Sequence, residues 1–347
     1  MADNSAPGVE IKYDGTTLTQ PESGRIKEVM AESRLELPGS FALTLLDESL
    51  SDIDPQKGKL HEGVRLEIGF GYEQRFTVLI TGEISSVSAE MSAQGVFTRV
   101  NGFDMLHRLA RGANYRRFES GSGEAMTDSA IARAILNDAG LKPTVDETPE
   151  RNLPRTQDNR SDLDFLVMLA NLNGFYLYSE GDRVFFLDSP PNRGELTLTW
   201  GKNLRSFFPR LNLNGMVNTL EVRGRDVVLD ENYAESLDRP RNELLFLSPA
   251  GRDMMERGSG GRSALNIHDS LITSGNDAKR FLAGALRERQ AIVSATGACA
   301  GNPQLRAGVK LKIENTGRFS GDYIVTRAIH RFSGNGYLTE YEARISL

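Results

Sequence analysis

Cysteine is almost absent from this sequence: Cys299 stands alone among 347 residues. A single thiol excludes an intrachain disulfide and a thiolate metal cluster within one chain. Histidine is nearly as scarce, with His61, His107, His268 and His330 scattered singly rather than paired on adjacent helical turns, so no metal or other cofactor is expected. Apolar runs of about 20 residues are missing, and direct membrane insertion is not expected. The start, "MADNSAPGVEIKYDG", has neither the basic patch nor the apolar stretch of a signal peptide. A surplus of positive charge is lacking too. With 41 Lys and Arg against 47 Asp and Glu, the formal net charge is −6, a field that does not draw nucleic acid or anionic lipid.

What is present is a globular composition, 39% hydrophobic and 25% charged, in a chain long enough for two or three cores. Up to Gly112 the pattern is strands. "VEIKYDGTTL" turns at Asp14-Gly15, "SRLELPGSFALTLLD" breaks at Pro38-Gly39, and the segment from "RLEIGFGYEQ" to "TRVNGFD" alternates apolar and polar residues between glycine turns. A short helical turn, "DMLHRLARG", follows. The period then changes to that of helices. "MTDSAIARAILNDAGL" has Thr127 or Asp128 as N-cap, a stripe of Ile131, Ala134, Ile135 and Ala139, and Gly140 as its stop. "SDLDFLVMLANLNG" opens with Ser161 and Asp164 in capping-box spacing, and "FYLYSEGDRVFFLDSP" forms a hairpin. After a strand in "SFFPRLNLNGMVNTLEVRGRD", a polar Arg- and Gly-rich excursion leads to a helix striped by Ala278, Phe281, Leu282, Ala285 and Leu286. Strands then run to the end. No repeat is visible.

Catalytic motifs are not found. "GFGYEQ" at 69, "GSGEAM" at 121 and "GSGGRS" at 258 lack the full spacing and lysine of a phosphate loop, and there is no G-x-S-x-G elbow. Asp158, Asp162 and Asp164 concentrate acid as a glycosidase pair would, but Asp162 and Asp164 fall in a helix's first turn, where negative charge suits the macrodipole. Trp200 with Phe207 and Phe208 has the aromatic character of a sugar-stacking surface, although aromatics on strand edges usually complete a core. The basic stretches "NYRRF", "PRTQDNR" and "RPRNELLFL" lack the aromatic interleaving of a single-strand platform.

The closing hairpin is the most regular feature. A type I′ turn at Asn335-Gly336 sets Phe332 opposite Thr339, His330 opposite Tyr341 and Ala328 opposite Ala343; a loop at Gly334-Asn335 instead sets His330 opposite Thr339 and Arg327 opposite Glu342. Either register leaves Ile324, Thr326, Ala328, His330 and Phe332 on one face with Tyr337, Thr339, Tyr341, Ala343 and Ile345. His330 thus reads as a packed strand residue.

The C-terminal stretch "GACAGNPQLRAGVKLKIENTGRFSGDYIVTRAIHRFSGNGYLTEYEARISL" resembles the phage late control protein D family, the baseplate hubs of contractile tails and injection systems, and the hub portion of VgrG spikes. "RTQDNRSDLDFLVMLANLNGFYLYSEGDRVFF" and "LITGEISSVSAEMSAQGVFTRVNGFD" are similar to that family's helix-plus-hairpin and barrel segment, in the family's order. Gly82, Asp104, Phe165, Gly174, Gly301, Gly308, Gly321, Tyr323, His330 and Tyr337 are the positions that carry the likeness. The resemblance implies a β-rich α+β chain with two antiparallel barrel-like domains that form a pseudo-six-fold ring in a homotrimer. The segmentation accommodates it: a first barrel at 1–112, an α+β domain at 113–200, a second barrel at 201–230 plus 290–347, and an insertion with one helix at 231–289. It further implies a non-enzymatic hub, assembled in the bacterial cytoplasm into a virion or tail-like particle, with partners in a hexameric inner-tube protein, a separate trimeric spike protein and other baseplate proteins. A tail-tip polysaccharide hydrolase and a carbohydrate-binding adhesin are the competing expectations.

Overall fold

The computed structural model describes residues 6–346 except 36, 151–152, 192, 214–218, 227–230, 239–247, 257–263, 269–271, 273 and 290. Alternating apolar residues build the first seven strands: β1 (Pro7–Tyr13), β2 (Thr16–Thr17), β3 (Ile26–Arg34), β4 (Ser40–Leu46), β5 (Arg65–Tyr72), β6 (Arg75–Ser92) and β7 (Gly95–Asp104), with one helical turn, α1 (Gln20–Ser23), before β3. They pair antiparallel in the order β3-β4-β7-β6-β5-β1-β2. Tight links are set by left-handed backbone, at Asp14-Gly15 (φ 44° and 83°) and at Glu73-Gln74 (φ 49° and 61°). Val29, Phe41, Leu43, Leu66, Ile68, Phe70 and Val100 fill the enclosed side. A 3₁₀ turn (Met105–Ala110) follows, capped by Asp104.

The middle of the chain supplies β8 (Asn114–Phe118), α2 (Asp128–Asp138), β9 (Lys142–Val145), β10 (Arg155–Arg160), α3 (Asp162–Asn173), β11 (Tyr176–Glu180) and β12 (Arg183–Leu187). Thr127 caps α2 through its hydroxyl, accepting from Ala130 N at 3.1 Å. Its buried face is Ile131, Ala132, Ile135 and Leu136, with Ala139 packed against the same core, so of the expected stripe only Ala134 lies outside it. Ser161 caps α3, and Gly174 (φ 67°) ends it. Then come β13 (Glu195–Thr199), β14 (Leu204–Leu211), β15 (Thr219–Asp226), β16 (Glu231–Asp238), α4 (Pro249–Glu256), β17 (Ala264–His268), α5 (Gly275–Arg289), β18 (Val293–Ala300), β19 (Lys310–Glu314), β20 (Gly321–Ser333) and β21 (Gly336–Ile345).

Three parts of the expected segmentation change. β13, expected in the α+β unit, pairs with β19. β15, expected in the second barrel, pairs instead with β16 and β17, and its Leu220 and Val222 join Phe165, Leu166, Phe281 and Leu282 in one core. The insertion holds two helices, α4 and α5, rather than one. The physical reason is burial: the apolar stripe of α5 is covered by α3, β15 and β16, so the excursion packs onto the middle unit instead of hanging from a barrel. The "GSGGRS" stretch lies outside the described residues.

The last strands run β14-β18-β21-β20, and β20 continues into β3, so both halves share one 13-stranded sheet. The hairpin adopts the Gly334-Asn335 loop, with His330 opposite Thr339 and Ser333 opposite Gly336. Only Gly336 takes positive φ (97°), whereas an Asn335-Gly336 type I′ loop needs it at both positions. A bulge at Thr326 reverses the parity upstream of it, so Tyr323 and Val325, not Ile324 and Thr326, share the core with Ala328.

Candidate functional site

β20 passes from one half of the molecule to the other, and His330 sits where it crosses. The imidazole is 1% exposed. Its Nε2 lies 3.0 Å from Leu305 O, so that nitrogen carries the proton and donates. Nδ1 then accepts from Tyr337 OH at 2.7 Å and lies 3.2 Å from Thr339 Oγ1. Burial holds the ring neutral, pulling its pKa down to about 3. Phe70 from the first half packs against both rings, 5.8 Å from His330 and 5.2 Å from Tyr337 between centroids. Tyr72 OH donates to Gly301 O at 2.8 Å, and Gly301 N donates to Tyr337 O at 3.0 Å. A side chain at Gly301 is excluded, because its Cβ would fall 2.1 Å from the Tyr337 ring. Gly301, His330 and Tyr337 therefore converge on one bolt between the halves.

The other singled-out positions lie elsewhere. Gly82 pairs with Asp104 where β6 meets β7, and a Cβ on Gly82 would meet Phe103 O at 2.0 Å. Asp104 accepts from Gly39 N (2.7 Å), Leu106 N (3.0 Å) and Ser179 Oγ (2.8 Å), tying the first half to β11; burial raises its pKa to about 6. Phe165 stacks on Phe118 at 5.5 Å inside the middle unit. Gly174 lets α3 end against α5, since a Cβ there would lie 2.7 Å from Arg280 O. Gly308 has φ 88°, receives Pro191 against its Cα and donates to Val325 O at 2.7 Å. Gly321 pairs with Ile313, and Tyr323 OH donates to Phe319 O at 2.8 Å. The sequence offered no local sign of Phe70, Tyr72 and Leu305, whose roles arise from contacts between distant segments, whereas Thr339 stands opposite His330 as the Gly334-Asn335 register expects.

The carboxylates expected as an alternative acid pair are engaged structurally. Asp162 Oδ1 accepts from Asn114, Arg116 and Gln157, and Asp164 accepts from Ser161 Oγ at 2.7 Å. Trp200 and Phe208, expected to complete a core, are instead 51% and 67% exposed. His61 is half-buried, and His107 lies 3.2 Å from Glu83.

The larger feature is a sheet face. Eight strands, β14-β18-β21-β20-β3-β4-β7-β6, run side by side without interruption. On the side away from the cores, residues pair in rows across them: Ser206, Ala298, Glu340, Ile329, Glu32 and Ser40 in one, Leu338, Arg331, Met30, Ala42, Asn101 and Ser86 in another. The face mixes polar and apolar residues and is cross-linked by charge, with Arg327 to Glu32 at 2.8 Å, Arg327 to Glu342 at 2.7 Å and Arg331 to Glu340 at 3.0 Å. Both ends of the run are open among the described residues. β14 has a strand partner on one side only, apart from one bridge between Leu204 and Trp200, and β6 from Ser86 to Ser92 pairs with β7 alone, because its register with β5 ends at Glu83.

The family model of the Alg8 N-terminal domain matches residues 3–334. Among solved structures, the fold resembles the 43 kDa tail protein of prophage MuSo2 from Shewanella oneidensis, with 14% identity and a TM-score of 0.68 over 97% of this chain and 98% of that one. A tail protein from Neisseria meningitidis matches with 13% identity and a TM-score of 0.68 over 98% and 96% of the two chains. The E. coli c3393 protein, a component of the type VI secretion system, matches with 13% identity and a TM-score of 0.58 over 97% and 77%. No curated sequence matches.

Proposed function

The chain belongs to the family of the Alg8 N-terminal domain, and from its tail-protein fold and the open ends of its long sheet we propose that it is a structural hub of a contractile phage tail or tail-like injection system. The unpaired edges carry this reading. An exposed strand edge presents a row of unmet backbone donors and acceptors, which native proteins cover or guard. One end of the eight-strand run is β14; the other is the outer half of β6, "SVSAEMS", guarded by Glu90 alone among its charges. Three copies arranged head to tail join each β14 edge to the next copy's β6 edge and close a ring. The charge-bridged rows then line its lumen, where their Arg and Glu side chains stay hydrated at no desolvation cost.

Each copy contributes two sheet halves joined by β20, so three copies present six similar units. Such a ring adapts a six-fold inner tube on one side to a three-fold spike on the other, and the role is mechanical rather than enzymatic. The finer likeness to late control protein D and VgrG hubs, the separate spike partner and the other baseplate contacts belong to the same proposal.

Light scattering tests it, with three chain masses expected alone or on addition of the tube protein. Prolines at Ser88 and Ala89 sharpen the test, since backbone N–H groups alternate sides along a strand. The proline that removes a β7-facing donor costs folding; the one that removes an outward donor leaves a folded monomer. A stable monomer inside assembled particles overturns the proposal, as does a trimer indifferent to both prolines.

A further inference from the structure

A second feature is independent of the ring. Where β3, β6, the β11–β12 hairpin and the segment before β19 meet, a cleft of about 250 Å³ opens, walled by Leu35, Val78, Asp104, Tyr178, Arg193 and Arg306 among others. Its acids are already committed. Asp104 is held by three neutral donors, Glu180 by Arg193 at 2.9 Å, and Glu32 by both Arg34 and Arg327. Arg193 also donates to Ala307 O at 2.7 Å and lies over the Tyr178 ring. Arg306 is the exception. Half-buried, it makes one long hydrogen bond, to Val78 O at 3.3 Å, and has no carboxylate in ion-pair range among the described residues. Burial first, and then the charge of Arg193, pull its pKa below the ordinary guanidinium value. A half-buried guanidinium beside a second one is costly, and a planar two-oxygen anion relieves the cost with two parallel hydrogen bonds.

We propose that this cleft is a docking site for a carboxylate carried by a partner polypeptide, gripped by Arg306, with Val78 at the mouth meeting an adjoining apolar side chain. Charge complementarity selects the occupant: among the described residues of the cleft Arg306 is the cation without a carboxylate partner, while each carboxylate already accepts two or more hydrogen bonds or an ion pair. Val78 is 39% exposed, an apolar step beside that cation.

The probe is N-acetyl-Leu-Glu-amide, with N-acetyl-Leu-Gln-amide as control, titrated into the full chain at constant ionic strength and read by calorimetry and thermal shift. The Glu peptide is expected to bind saturably in the millimolar range and the Gln peptide at least ten-fold more weakly. Arg306→Gln should abolish the difference between peptides, while Arg205→Gln, an exposed arginine on β14, leaves it intact. If Arg306→Gln fails to fold, Arg306→Lys serves, keeping the charge but losing the fork and weakening the Glu peptide several-fold. Equal binding of the two peptides, unchanged binding by the Arg306 variants, or no saturation by about 50 mM overturns the proposal. Inorganic phosphate that competes as strongly as the Glu peptide also overturns it, in favour of a general anion site. The measurement is per chain, so its failure is separate from that of the ring.

Discussion

Replacing His330 by Phe keeps a ring of similar size in the bolt between the halves but removes both of its polar contacts. Leu305 O loses its donor and Tyr337 OH its acceptor, at positions water does not reach. An unmet buried polar group costs about 1–3 kcal/mol, and Thr339 remains beside Tyr337 as a partial substitute, so the variant should lose about 2–4 kcal/mol at pH 7. The cost should depend on pH in a stated direction. His330 is held neutral with a pKa near 3, against an ordinary value of 6.5. Below pH 6.5 the unfolded chain binds a proton that the folded chain refuses, so this histidine's contribution to stability falls as pH drops from about 6.5 toward 3. Between pH 7 and pH 5 the wild type should lose about 2 kcal/mol through this group. The Phe variant has no such group, and its deficit should shrink by that amount. Urea unfolding of both proteins at the two pH values measures it, and subtraction removes every other titrating group. A deficit equal at pH 7 and pH 5 refutes the neutral, doubly bonded imidazole.

Asp104 should act with the opposite sign. Its folded pKa of about 6 exceeds the ordinary 3.8, so the folded state takes up a proton first and stability from this group rises as pH falls through 6 toward 3.8; Asp104→Asn should remove that rise from the unfolding profile. Gly301→Ala should destabilise by about 1–3 kcal/mol through displacement of the Tyr337 ring, seen as a lowered thermal midpoint and restored in part by Tyr337→Leu. Asp128→Ala takes away the carboxylate that meets Arg155 at 3.1 Å and Asn173 at 2.8 Å in the middle unit. With Arg155 only 4% exposed, the loss should be about 3–5 kcal/mol, far beyond that of the exposed pair Arg117 and Glu119 cut in the same way.

Local chemistry was readable from the sequence because its causes lie within a few residues. Thr127 and Ser161 cap helices through their own hydroxyls, Gly174 ends α3 with the φ only glycine adopts freely, and alternation marked the faces of β21 correctly from Tyr337 to Ile345. Scarcity was equally informative, since one cysteine limits the chemistry whatever the fold. The tertiary structure alone decided the rest. The bulge at Thr326, which reverses the parity of β20, leaves no mark in a period-2 pattern. Neither does the choice of β15 to join the middle core, which follows from the uncovered stripe of α5. His330 could be read from its strand as packed, but not as a bolt: its contacts to Leu305, and the nearby bond from Tyr72 to Gly301, 229 positions away, exist only because β20 carries one sheet into the other. Burial and pairing across such distances depend on which surfaces meet, and that is a property of the folded chain.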